Sequence, residues 1–146
     1  MRKGKLGLLT SISEILSFML LLFMITQYAL SADSQTQYIG GYAYTVMFWL
    51  GFAVYGLFAV LKRFPRLINY PVTITAKNVA AQARLMRLML STSTLLSMCI
   101  VADIFIGRRL ADLGIKTIAP VIVAGACFLG IIADLLIYFA AAKKRK

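Results

Sequence analysis

The chain has 146 residues, 61% of them apolar, with sixteen Lys or Arg against five Asp or Glu, no histidine and a net charge of +11. A water-soluble domain of this size would expose larger apolar patches than monomers tolerate. The basic residues sit at the ends of apolar runs rather than along a groove interleaved with aromatics, which sets nucleic-acid binding aside and points to lipid head groups.

Residues 8–30 form the first apolar run, preceded by Arg2, Lys3 and Lys5. A helix of about 20 residues crosses the hydrocarbon core of a bilayer, so the run is long enough. It ends in Ala29-Leu30-Ser31-Ala32, the small-residue pattern of a signal-peptide cleavage site. The run is longer than a signal h-region, however, and reads as a retained membrane helix. A connection without basic residues at 31–42 leads to the second run, 43–61, in which Trp49 lies deep enough to need a partner for its indole N–H. Residues 62–75 form a basic loop where Pro65 and Pro71 interrupt helix. Thr75 is the expected N-cap of a third helix over 76–106. Val79, Ala83, Met86 and Leu90 share its apolar face, with Lys77, Gln82 and Arg84 off that face. No breaker occurs before Gly107, so the amphipathic first turns run straight into the span and extend it into the cytoplasm. The fourth run, 117–141, is followed by Lys143, Lys144, Arg145 and Lys146. Cys99 and Cys127 both fall mid-span and read as small packing residues.

Charge placement sets the expected topology. With both termini and the 62–87 segment in the cytoplasm, thirteen of the sixteen basic residues are inside, leaving Arg108, Arg109 and Lys116 outside. Tyr28, Tyr38, Tyr42 and Tyr44 then mark the outer interface, and Phe64, Tyr70, Tyr138 and Phe139 the inner one.

Ionised groups inside spans are costly, so Glu14, Asp103 and Asp134 are the first candidates for function. At 1.5 Å per residue, Glu14 and Asp134 each lie about 10 Å from the cytoplasmic end of their spans and share a level. Asp103 lies near the outer surface and reads as an anchor reaching toward Arg108 or Arg109. Thr10, Ser13, Glu14 and Ser17 form a polar stripe on the first helix; Arg84, Arg87, Ser91 and Thr94 form another on the third. Ala126, Gly130 and Asp134 repeat at intervals of four on the last helix. The economical arrangement turns all three stripes to a common interior, with Arg87 or Arg84 neutralising Glu14 or Asp134. The cluster Glu14, Ser17, Arg84, Arg87, Ser91, Thr94 and Asp134 is first a device that fixes helix register. Its alternative is a cytoplasm-facing pocket for a proton, an ion or an amphiphile. Transporters place such groups near the midplane between internal repeats, and neither feature is present here. No enzyme is expected. Asp103 and Asp134 differ in depth by about 20 Å on straight helices, no histidine can serve as a base, and no P-loop occurs. Neither a cofactor nor a metal site is expected.

The stretch Arg63-Phe64-Pro65-Arg66-Leu67-Ile68-Asn69-Tyr70-Pro71-Val72, then Ile74-Thr75, Asn78, Gln82 and the run 84–90, resembles a pattern in small bacterial membrane proteins of unknown function. These are loosely allied to the immunity protein family for sporulation-delaying toxin. The resemblance covers about residues 43–106. Relatives carry an extracytoplasmic proline and a glycine-proline-aspartate turn before the second span; this chain has Gly40-Gly41 there and no proline. The resemblance implies a helical membrane protein acting by protein contact, and it brings no catalytic residues.

The expectation is therefore an all-α, multi-pass protein of the bacterial inner membrane with four transmembrane helices and both termini cytoplasmic. Its expected role is accessory, immunity-type or regulatory. Lys62, Arg63, Arg66 and Lys77, with the C-terminal tail, would form a cytoplasmic contact surface for anionic lipid, a membrane protein partner or a second copy. A small proton- or ion-coupled transporter is the alternative.

Overall fold

The computed structural model describes residues 2–33, 39–64 and 70–144. Four helices account for nearly all of them: α1 (Arg2–Asp33), α2 (Ile39–Arg63), α3 (Val79–Asp112) and α4 (Ala119–Lys144), with no strand among the described residues. Three stretches, Gly7–Ala29, Val79–Ala111 and Ala119–Lys144, are long and apolar enough to cross a membrane. Tyr38, Pro65, Arg66, Asn69, Arg145 and Lys146 lie outside the described residues, as do the side chains of Tyr42 and Tyr44.

α3 is the axis of the bundle. α1, α2 and α4 each pack against it, α1 also meets α2, and α4 packs little against either α1 or α2. The helices run in alternating directions, so the start of α1 and the end of α4 lie at one end of the molecule. Contacts fix the registers. Along α3–α4, Gln82 Nε2 donates to the Ala142 carbonyl (3.0 Å), Gly130 lies against Leu96, and Gly107 lies against Pro120. Along α1–α2, Tyr28 stacks on Phe48 with centroids 4.4 Å apart, and Gly51 receives the tip of Met24. A Cβ at Gly51 would displace the tip of that methionine. Between α1 and α3, Leu21, Met24, Met98, Val101 and Phe105 form a buried cluster. Stepping by three and four toward the termini, the same seam becomes polar, with Ser17, Ser91 and Thr94 all buried.

Helix ends depart from the sequence reading at α3. The helix starts at Val79, not Ala76, and Asn78 rather than Thr75 occupies the N-cap position. Asn78 spends its side chain on the preceding loop: its Oδ1 accepts from Thr75 N (2.7 Å) and its Nδ2 donates to Thr73 O (3.0 Å). The amphipathic extension beyond the bundle is correspondingly short, because Gln82 is already level with the end of α4. At its other end α3 passes through Gly107 and stops at Gly114, whose φ of 80° closes the helix. Ile115 N–H bonds Leu110 O (2.9 Å) and Gly114 N–H bonds Ala111 O (3.0 Å), the paired bonds of a Schellman end. Gly107 serves packing instead: a Cβ there would sit 3.0 Å from Pro120 Cβ.

The buried face of α3 matches the expected one in part. Met86 and Leu90 are buried as expected, Val79 and Ala83 are exposed, and Gln82, expected off that face, is fully buried with Leu85. Trp49 is not deep. It lies edge-on to Phe48, which stacks on Tyr28 near the far end of α1, and it is 59% exposed in an aromatic belt.

Candidate functional site

The polar residues do not meet in one interior. They divide into two groups on opposite faces of α3, which follows from helix geometry: successive residues turn by about 100°, so Ser91 faces α1 while Thr92 and Ser93 face α4.

On the α1 side, Arg87 grips Glu14 with both arms of its fork, Nε to Oε1 at 3.2 Å and Nη2 to Oε2 at 3.3 Å. Ser91 Oγ donates to the same Oε1 (3.2 Å). This is the predicted neutralisation, made by Arg87. The pair is partly open, with the arginine side chain 63% and the glutamate 30% exposed. Solvent and ions screen a pair so placed, so its contribution to stability is about 1 kcal/mol or less. Ser17 and Thr94 do not join it. Each is buried and donates to its own helix, Ser17 to Ser13 O (2.7 Å) and Thr94 to Leu90 O (2.6 Å), so they act as compact packing residues.

Arg87 borders both lobes of an open cleft, and Glu14 borders the second. One lobe, about 210 Å³, is lined by Gly7, Thr10, Ser11, Arg84 and Arg87. A second, about 400 Å³, is lined by Glu14, Tyr55, Ala59, Lys62, Arg63 and Arg87. The cleft exists because α2 ends at Arg63, level with Glu14, and so leaves the first turns of α1 uncovered. Lys62 and Arg63, predicted as part of a contact surface, belong to this cleft; Lys77 is exposed in the turn before α3 and is not among its lining residues.

On the α4 side, Asp134 Oδ2 is held by Thr92 Oγ1 (2.6 Å) and Ser93 Oγ (2.8 Å). Neither Arg84 nor Arg87 neutralises it, and no ion pair to it occurs among the described residues. Glu14 and Asp134 do share a level, one meeting Ser91 and the other Thr92 and Ser93, but α3 stands between them. The expected common interior is therefore absent, because α4 docks mainly on α3. Sequence reasoning passed over Thr92 and Ser93. The available signal was Ser91-Thr92-Ser93-Thr94, four consecutive hydroxyls that offer a donor on every side of a helix.

Asp103 Oδ2 is buried without a hydrogen-bond partner among the described residues, so the expected reach to Arg108 or Arg109 is not made by that oxygen. Cys99 and Cys127 are free and partly buried. They lie three residues beyond Leu96 and three before Gly130, so the α3–α4 register sets them level across the seam. No group of three or more metal-ligating side chains occurs among the described residues.

Comparisons with protein-family models, curated proteins and solved structures find no match to this chain.

Proposed function

We propose that this chain is a four-pass protein of the bacterial inner membrane, both termini cytoplasmic, that acts without catalysis by contacting another membrane component. An accessory, immunity-type or regulatory role fits this reading. The observation that carries it is the division of the two acids. Glu14 and Asp134 are each engaged by α3 and lie on opposite faces of it, so they cannot act on one substrate or pass one proton between them. What remains available is surface: the basic cleft, Lys77, and the long apolar flank of α4, of which only 6% is buried. The second pass rests on α2, an apolar 25-residue helix whose last residues are Lys62 and Arg63.

The rival reading, a small proton- or ion-coupled transporter, draws on the open cleft beside Glu14. Proteoliposomes separate the two. The contact reading predicts no proton flux above that of empty vesicles, and flux that disappears in Glu14→Gln at unchanged folded yield would overturn it. In cells, Arg63→Glu with Lys77→Glu should release a co-purifying membrane protein without lowering the amount of folded chain.

A further inference from the structure

We propose that the cleft between α1 and α3 is a binding site for one anionic glycerophospholipid, whose phosphate is held by Arg84, Arg87 and Ser11. This deepens the contact reading above and rests on the cleft lying at the membrane surface.

Arg84 is the first ground. Its Nε is buried and has no hydrogen-bond partner among the described residues, although it borders an open cavity. Arg84 is only half-buried, so its guanidinium can reach the cavity, and its planar fork suits two phosphate oxygens. Arg87 lines the same lobe, and its Nη1 is the guanidinium nitrogen that Glu14 does not engage. Ser11 supplies an exposed hydroxyl on the opposite wall. Gly7 borders the lobe where space is open, since a Cβ there would meet nothing within 4 Å. Lys62 and Arg63 add positive charge from the end of α2, so four cations face one carboxylate.

The second ground distinguishes a lipid from a soluble phosphate. Ser11 and Glu14 also border an apolar groove of about 450 Å³ that continues along α1 past Ile15, Phe18 and Met19. Those three side chains are exposed and follow Ser11 at helical spacing, a track for an acyl chain below the phosphate. An anion from solution would use the basic lobe and leave this groove without a role.

The experiment is native mass spectrometry of the full chain in mild detergent, titrated with phosphatidylglycerol, phosphatidylcholine or inorganic phosphate. One phosphatidylglycerol per chain should be retained in preference to phosphatidylcholine, and excess inorganic phosphate should not displace it. Arg84→Gln should weaken retention about tenfold, the scale of one charge-assisted contact. Arg84→Lys should recover part of the loss, and Lys116→Gln, at the far end of the bundle, should change nothing. Equal retention of phosphatidylcholine, displacement by inorganic phosphate, or an Arg84→Gln chain that binds like the parent would each overturn the site. If the lipid preference fails while the co-purifying partner stays bound, the site falls and the contact reading stands.

Discussion

The two faces of α3 handle the same problem differently. Toward α1, a carboxylate at the rim of an open cleft is matched by a full opposite charge, Arg87, with more cations close by. Toward α4, a carboxyl group at the same level is held by two hydroxyls and no cation. The difference teaches that depth alone does not decide how an acid is accommodated. Access does: where α2 stops short, long basic side chains can reach both the acid and water, whereas on the α3–α4 seam the acid is met by Thr92 and Ser93.

The comparison depends first on the α3–α4 register. With that register, mild oxidation of the purified chain by copper phenanthroline should join Cys99 to Cys127 nearly completely. Peptide mass spectrometry reads the product, and two free thiols after treatment would mean α4 docks elsewhere. Next in size is the loss of both hydroxyls. Thr92→Val with Ser93→Ala strands the Asp134 carboxyl and should cost about 2–3 kcal/mol of unfolding free energy in mixed detergent. The same pair of changes should be nearly silent once Asp134→Leu is present, because the interaction is then already gone. Accessibility separates the faces further. In a chain whose native cysteines are replaced by alanine, Ser11→Cys should react with an impermeant maleimide about tenfold faster than Ser93→Cys. The smallest effect belongs to the ion pair. Glu14→Gln should destabilise by about 1 kcal/mol or less, and less still in high salt.

Much of this was legible in the sequence because the bilayer imposes simple lengths. The apolar runs gave four helices, and counting residues from their ends put Glu14 and Asp134 at one level. The need for a nearby cation pointed to Arg87 or Arg84 without deciding between them or between the two acids. What the sequence hid was which way each helix faces. Apolar periodicity marked Val79, Ala83, Met86 and Leu90 as inward, yet only Met86 and Leu90 are buried, and Gln82 and Ser93, not expected inside, are buried beside the expected Ser91 and Thr94. Lipid is as apolar as a protein core, so hydrophobicity does not separate inside from outside. α4 makes the point, being almost wholly apolar and the least buried of the three long apolar stretches. Small hydroxyl residues, which bond to their own backbone and let helices approach, mark the interior better. The end of α3 was missed for a similar reason. Gly107 and Gly114 look alike as letters, but one allows close packing on Pro120 and the other takes a left-handed φ.

Central to the account is that α2 crosses the membrane, placing both termini and the cleft on one side and the α3–α4 turn on the other. The direct measurement is labelling of single cysteines by an impermeant maleimide in intact cells, at Lys77→Cys and Lys116→Cys in the cysteine-free chain. Four passes predict that Lys116→Cys is labelled from outside and that Lys77→Cys is labelled only after the membrane is opened. The reverse pattern, with Lys77→Cys labelled from outside and Lys116→Cys protected, would contradict the account.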